Sequence, residues 1–202
     1  MASSSAGAGL DLLLVEIETR ARDLTAVTDW YDNEHVPARM DFPEFAFAAR
    51  YYALDDAPHS WLAYYHVESA FLESEPYAEL RRHRSDRETH VMASLVSLKR
   101  RVLPILAIDG TPQRSAPFLL KLELGGRSAE DAVEWSFDKG AVSCSRYLAD
   151  SRAGTELLLV EFEQPPTGRP PGRPAPVSRQ YKHWQTWPAR VPAHPLQREA
   201  RS

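Results

Sequence analysis

The stretch DWYDNEHVP, residues 29–37, carries the side chains of this sequence that are best placed for acid–base chemistry. Tyr31 and His35 follow Val27 at steps of four residues, so they share one face of a predicted helix. Pro37 disfavours the α conformation at the residue before it, which predicts that the helix ends there with His35 in its last turn. From that position the imidazole could act as a general acid or base, and Tyr31 could bind a ligand oxygen.

A second interpretation of His35 stays open. A histidine in the last turn of a helix can cap the final carbonyl groups and pack against the core without any chemistry, and Tyr31 can be a half-buried core residue. The helix C-terminus would stabilise the cationic imidazole and so raise its pKa. A later segment of the chain resembles this one. Aligning Trp30 with Trp135 places Gly140 at the position of His35. Because the second copy lacks the histidine, the comparison favours a functional role for the first half of the chain and a structural role for the second.

Candidate substrate-binding side chains alternate along two aromatic-rich segments after the helix. Arg50 and Tyr52 share one strand face by parity, and Tyr64 and His66 share a face of the next strand. Trp61 is a predicted pocket wall. The pattern leaves open which of these faces lines a cavity.

Other chemistries find little support in the sequence. Asp32 and His35 are neighbours on the predicted helix, but no third ligand at a matching spacing completes a metal site, so no metal is predicted. No glycine-rich phosphate loop, nucleophile elbow or dinucleotide fingerprint occurs, and no cofactor is predicted. Cys144 is the only cysteine, which excludes an intramolecular disulfide. Its place in a strand favours a packing role over a nucleophilic one.

The elements that must position these residues form one pattern across residues 10–110. Strands are predicted over residues 10–18, 45–54, 60–68 and 98–108, and helices are predicted to begin at the caps Asp23, Ser74 and Ser85. The resulting order, β-α-β-β-α-β, is that of a ferredoxin-like unit. The predicted fold class is therefore α+β.

The pattern begins again after a linker and occupies residues 116–190. The hairpin of residues 49–68 can be overlaid on residues 145–163, with Arg50 and Tyr51 on Arg146 and Tyr147. The second copy is degenerate, because a proline-rich excursion over residues 165–178 replaces its second helix. We expect tandem ferredoxin-like repeats that pack as a pseudo-dimer inside one chain, followed by a flexible tail at residues 191–202.

Composition limits the partners. The chain has 202 residues, a net charge of −4 and 43% hydrophobic residues, as is typical of a folded soluble protein of one or two domains. The charge does not suggest nucleic acid as a partner. No apolar run is long enough to span a membrane and the N-terminus lacks the basic region of a signal peptide, so a cytoplasmic protein is expected.

The stretch WYDNEHVPARMDFPEFAFAARYYALDD, with SWLAYYHVES after it, resembles the EthD-like branch of the dimeric α/β-barrel superfamily. The resemblance rests on a Trp–Tyr helix, a His–x–Pro step, a P-x-F turn and an arginine-containing strand, and covers residues 10–108. It implies two ferredoxin-like sheets closed into a barrel, usually across a dimer, with a mostly apolar pocket between each sheet and its helices. It also carries the family's histidine over to His35 and its proline to Pro37.

The resemblance implies a function as well. Such proteins act without metal or organic cofactor on small aromatic or polyketide-like molecules, as isomerases, cyclases, dehydratases, decarboxylases or cofactor-free oxygenases. We therefore expect acid–base chemistry on a small hydrophobic carbonyl, phenolic or polyketide-like substrate. The alternative is a non-catalytic ligand-binding or assembly module that keeps the barrel. The fused second repeat makes a pseudo-dimeric monomer possible, and a homodimer equally so.

Overall fold

Eight antiparallel strands close into one barrel. The computed structural model describes residues 10–55, 59–113, 115–168, 170 and 177–188. The strands are β1 (Leu10–Glu18), β2 (Phe45–Ala53), β3 (Ser60–Glu68), β4 (Ser97–Gly110), β5 (Phe118–Glu123), β6 (Ala141–Asp150), β7 (Thr155–Phe162) and β8 (Val177–Pro188). Each predicted strand of the first half is present within a few residues of its expected bounds. The α+β class and the barrel are as expected from the sequence.

The strand order around the barrel is β1-β3-β2-β8-β5-β7-β6-β4. Within the first half the order is β4-β1-β3-β2, and within the second it is β8-β5-β7-β6. The halves join where β8 pairs with β2 and where β4 pairs with β6. Closure leaves every strand with two neighbours, so the barrel has no free sheet edge.

The helices pack on the outside of the barrel. They are α1 (Leu24–Trp30), α2 (Val36–Met40), α3 (Glu75–Arg82), α4 (Asp86–Ser94) and α5 (Ala129–Asp138), with short 3₁₀ turns at Ala21–Asp23 and Ser69–Glu73. The Ser74 and Ser85 hydroxyls accept hydrogen bonds from the N–H groups of Tyr77 and Glu88, at 3.4 and 3.0 Å, as the cap prediction requires. Asp23 precedes α1 but its side chain makes no capping hydrogen bond, so that cap prediction was wrong.

The helix does not end at Pro37. The chain stays helical from Leu24 to Met40, through a π-helical turn at Tyr31–His35 that joins α1 to α2. In this turn the Val36 N–H donates to the Tyr31 carbonyl five residues earlier, and Val36 keeps α-helical angles of φ −72° and ψ −47°. A proline in a helix removes one hydrogen bond and crowds the carbonyl four residues before it, and a widened turn relieves both problems. His35 is therefore an internal helix residue, not a terminal one.

Three hydrophobic clusters hold the fold together. One fills the barrel, one lies between the first-half sheet and α1 to α4, and one lies between the second-half sheet and α5. In β3 every residue from Ser60 to Val67 is buried, so this strand packs on both faces and shows no polar alternation. Cys144 is fully buried in the third cluster, and burial raises the pKa of its thiol to about 12.

The second half carries α5 on its outer face. Residues 163–168 and 170 are not helical, and β8 begins at Val177. Residues 169 and 171–176 of the predicted proline-rich excursion lie outside the described residues, as does the predicted tail at residues 191–202. The last two residues of the predicted excursion, 177–178, belong to β8, so its C-terminal bound was two residues too late. Within the part of the chain that the structure describes, no helix has the length and apolarity needed to cross a membrane.

Candidate active site

The π-helical turn places His35 against two aromatic rings. Its imidazole lies 4.4 Å from the Trp30 ring and 4.6 Å from the Tyr31 ring, measured between centroids. The ring is partly buried, and its Nδ1 is enclosed without a hydrogen-bond partner among the described residues. A buried polar atom of this kind is uncommon in folded proteins and is typical of a group reserved for a ligand, a water or chemistry.

His35 lines a cavity of about 110 Å³ between the first-half sheet and the helices. The inner end is apolar and aromatic, with Leu13, Val15, Ile17, Trp30, Tyr31, Tyr65, Tyr77, Met92 and Leu95 in its walls. The remaining polar lining is charged, with the exposed Arg81, Arg84 and Arg100 and the half-buried Glu88 at the outer end, and with the buried Arg39. The predicted catalytic histidine therefore faces a cavity between the sheet and the helices, and not the interior of the barrel.

The electrostatics of the cavity keep His35 neutral. Desolvation lowers the pKa of the imidazole well below its ordinary 6.5, and the positive charges of Arg39, Arg50 and Arg84 lower it further. The expectation that a helix C-terminus would raise this pKa was wrong, because the helix continues to Met40 and nearby guanidinium groups replace the exposed carbonyls. A neutral imidazole carries one nitrogen lone pair, so His35 can accept a proton at neutral pH.

Tyr31 also lines the cavity. The Tyr65 hydroxyl donates a hydrogen bond to the Tyr31 oxygen at 3.1 Å, so the Tyr31 hydrogen is left for another acceptor. Burial raises the pKa of Tyr31, which keeps its hydroxyl protonated. The ring planes of Tyr31 and His35 differ by 32° and their centroids are 4.6 Å apart, so the two rings are in tilted contact in the cavity wall.

Arg50 does not reach the cavity. Its guanidinium is buried behind Tyr31, pairs with the Asp32 carboxylate, and lies 4.7 Å from the Tyr31 ring and 4.1 Å from the Trp61 ring. Burial lowers the pKa of this guanidinium, and the negative charge of Asp32 partly offsets that effect. Arg50 thus supports the wall that carries Tyr31 and contacts no open space in the His35 cavity.

Tyr52 and Trp61 lie on the same outer face as Arg50 but line a different cleft. This cleft measures about 250 Å³ and is also lined by Trp184 of β8, whose ring lies 5.2 Å from that of Trp61. The parity argument correctly placed Arg50 and Tyr52 on one face. It could not show that this face belongs to a neighbouring cleft.

Tyr64 and His66 point into the barrel. The Tyr64 hydroxyl donates to Glu161 at 3.4 Å, and His66 Nε2 lies 3.1 Å from the Tyr147 hydroxyl. The space beside them measures about 10 Å³, room for one water at most. The barrel interior is therefore a filled polar and aromatic core, and these two residues are separated from the His35 cavity by the sheet.

Of the seven candidate side chains named from the sequence, only His35 and Tyr31 line this cavity. The cavity residues that the sequence prediction missed include its four arginines, which come from α2, α3, the turn before α4, and β4. No local pattern could have revealed them, because they converge only in the folded chain. Among the described residues, no three His, Cys, Asp or Glu side chains cluster in a way that could hold a metal ion.

Comparisons with solved structures show the class of fold. A "Putative monooxygenase" from Fusobacterium nucleatum has a TM-score of 0.57 and 9% identity, covering 91% of this chain and 96% of its own. An "anthrone oxidase-like protein" has a TM-score of 0.54 and 9% identity, covering 96% and 98%. A "putative monooxygenase" from Lactobacillus acidophilus has a TM-score of 0.53 and 11% identity, covering 89% and 97%.

These likenesses and the closed barrel define the dimeric α/β-barrel class of fold, as the sequence resemblance implied. At sequence identities of 9–11%, these likenesses show a shared fold and nothing more. Neither a protein-family profile nor a curated protein matches the sequence.

Proposed function

We propose that this protein is a cofactor-independent enzyme that performs acid–base chemistry on a small carbonyl or phenolic compound bound beside His35. The observation that carries the proposal is the neutral imidazole, with an unpartnered nitrogen, in the wall of an aromatic cavity. Three solved structures of the same fold class are named for enzyme-like proteins, which is consistent with an enzyme.

In the proposed reaction His35 takes a proton from the substrate, at a carbon next to a carbonyl or at a phenolic hydroxyl. The electron pair left behind moves onto the substrate oxygen, and the Tyr31 O–H donates a hydrogen bond to that oxygen. His35 then returns the proton, to the same atom or to another one. General acid–base catalysis of this type contributes about a hundredfold to ten-thousandfold to the rate.

The proposal can be tested without knowing the product, because reversible proton removal exchanges hydrogen with solvent. A panel of small aryl ketones is incubated in D₂O with the protein, and deuterium incorporation is followed by proton NMR. We expect wild type to accelerate exchange for at least one member, and His35→Ala to lose at least about a hundredfold of that acceleration. His90→Ala, at an exposed position of α4, is the matched control and should behave as wild type.

Full exchange activity in a folded His35→Ala protein would overturn the catalytic role of His35. Ketone binding with no exchange above buffer would instead favour the alternative class, a ligand-binding module. A carbanion formed by His35 could also react with O₂, and two of the neighbours are named for monooxygenases. Running the assay with and without oxygen, and measuring oxygen uptake, separates simple exchange from oxygenation.

We also propose that the barrel consists of two ferredoxin-like units in one chain, residues 10–110 and 116–190. The strand orders β4-β1-β3-β2 and β8-β5-β7-β6 support it, because each half repeats the other. We expect the β2–β3 hairpin to superpose on the β6–β7 hairpin by a near-twofold rotation. Since the barrel closes within one chain, a monomer suffices for the fold, and analytical ultracentrifugation would distinguish it from a homodimer.

A further inference from the structure

We propose that the ligand of the His35 cavity is an anion with one aromatic ring, such as an aryl carboxylate, whose charged group lies among the arginines at the outer end. The inference rests on the proposed function for the location of the site, and it narrows the substrate class to carbonyl or phenolic compounds that also carry an anionic group. It requires that the ring occupy the apolar inner end and that the anionic group stay at the opening.

The charges that line the cavity are strongly unbalanced. Among the described residues, four arginines line it and Glu88 is the one acidic residue in its lining. Glu88 lies 3.8 Å from Arg84, and Arg39 donates to the His35 carbonyl at 2.8 Å. Arg81 and Arg100 have no carboxylate partner among the described residues. The outer end thus holds uncompensated positive charge.

Several arginines outside the cavity pair with carboxylates. Arg82 contacts Glu75 and Glu79, Arg87 contacts Asp29 and Glu34, and Arg146 contacts Glu130 and Glu156. Arg81 is the direct neighbour of Arg82, yet it lines the cavity and has no carboxylate partner among the described residues. The side chains of Arg20 and Arg152 are also exposed without a carboxylate partner among the described residues, so the distinguishing feature of this cavity is that two such arginines, Arg81 and Arg100, line the same opening.

The four arginines come from three parts of the chain, because Arg81 and Arg84 are only three residues apart. Arg39 is on α2, Arg81 is in the last turn of α3, Arg84 is in the turn before α4, and Arg100 is on β4. Guanidinium groups present paired N–H donors that match the geometry of a carboxylate. Their convergence on one cavity is a suitable receptor for such a group.

The inner end sets the size of the ligand. The whole cavity measures about 110 Å³, and a dry cavity of about 150 Å³ is known to accept benzene, so the enclosed space limits the ligand to one ring at most, with its anionic group outside at the open end. The walls at this end include Trp30, Tyr31 and Tyr65, which favour an aromatic occupant. Exposed arginines at the opening would hold the carboxylate without full removal from water, which limits its desolvation cost.

An anion at this place would also act on His35. Arg39 and Arg84 line the cavity and lower the pKa of the imidazole, and an anion beside them would partly neutralise their charge, so the pKa of His35 should rise when the ligand binds. A higher pKa makes the imidazole a stronger base. The bound anion would thus increase the basicity of the histidine that acts on it.

Benzoate and benzamide are the probes for this inference, because they share a shape and differ in charge. Binding is followed through tryptophan fluorescence, since Trp30 lines the cavity, and through the His35 ring signals in NMR titrations. We expect benzoate to bind about tenfold or more tightly than benzamide at low salt, and to raise the pKa of His35. The variant Arg81→Gln/Arg100→Gln should remove most of that preference.

The matched control is Arg82→Gln/Arg152→Gln, which removes the same charge from exposed positions outside the cavity lining. Equal binding of the two probes, or an equal loss of benzoate binding in the control, would overturn the inference. The two proposals fail separately. If benzoate shows no preference over benzamide but ketone exchange still depends on His35, only the inference of an anionic ligand is wrong. If benzoate binding depends on the arginines but His35→Ala leaves ketone exchange unchanged, only the catalytic role of His35 is wrong.

Discussion

The Trp184 indole N–H donates to the Asp32 carboxylate at 2.8 Å, although 152 positions separate the two residues along the chain. The same carboxylate pairs with the buried Arg50 guanidinium. Asp32 is part of the π-helical turn that carries Tyr31 and His35, so this one side chain ties the turn both to β2 and to the last strand of the barrel. The geometry of the candidate site therefore depends on the closed fold.

Removing the charge of Asp32 should be costly for stability. Asp32→Asn leaves Arg50, which is 1% exposed, without its counter-charge, and breaking a buried ion pair costs about 3–5 kcal/mol. Asp29→Asn is the control, since Asp29 forms an exposed pair with Arg87 and exposed pairs contribute about 0–1 kcal/mol. Urea unfolding of both variants measures the difference, and equal losses would contradict the structural role of the Arg50–Asp32 pair.

Tyr31→Phe should leave the Tyr65 hydroxyl buried without its acceptor, at a cost of about 1–3 kcal/mol in the free energy of unfolding. The double variant Tyr31→Phe/Tyr65→Phe removes both partners and should recover most of that loss. In the deuterium exchange assay Tyr31→Phe should lose less rate than His35→Ala, because it removes one hydrogen bond and leaves the base in place. A larger loss than in His35→Ala would reverse the two assigned roles.

The pH dependence of stability should carry a signature of His35. The folded-state pKa lies well below the unfolded value of 6.5, so between these two pH values the unfolded chain binds more protons. The unfolding free energy should therefore be highest above pH 6.5 and fall as pH drops towards the folded pKa, by at most about 1.4 kcal/mol per pH unit.

The comparison between wild type and His35→Gln isolates this effect. His183, whose pKa is also lowered by burial, is present in both proteins and cancels in the difference. Denaturant unfolding at several pH values from 5 to 8 provides the measurement. Parallel curves for the two proteins would mean that the imidazole titrates in the folded state as it does in the unfolded chain.

Pro37→Ala should disturb the site through the helix backbone. An alanine N–H at this position can donate to the carbonyl four residues earlier, which removes the reason for the π-helical turn and lets the backbone of Tyr31–His35 tighten. We expect the His35 ring signals in NMR to shift and the exchange rate to fall. Pro76→Ala, in the first turn of α3, is the control and should leave those signals unchanged.

Local pattern was sufficient to predict most strands, because short β-branched and aromatic runs between turn residues specify them. The helix boundary at Pro37 was the main local error. The rule that a residue before proline avoids the α conformation is a preference, and Val36 violates it inside a widened turn. That turn depends on tertiary packing, so the sequence around it could not reveal it.

The site was harder to predict than the fold, for two reasons. Strand β3 is buried on both faces, so its sequence gives no indication of which side chains enter the barrel, and Tyr64 and His66 were grouped with residues on the opposite face. A bulge between Phe45 and Phe47 adds a break in the alternation of β2. The arginines of the cavity meet only because three segments, around residues 39, 81–84 and 100, fold together.

The placement of β8 between β2 and β5 has a consequence for how the protein is made. Of the eight strands, β8 is the last to leave the ribosome, and until it does β2 and β5 are open edges with unpaired N–H and C=O groups. A nascent chain with only seven strands exposes two sheet edges that can pair with other chains, so it is prone to aggregate. Polypeptides interrupted before Val177 should therefore depend on chaperones or be degraded, and production of the intact barrel should be sensitive to premature termination.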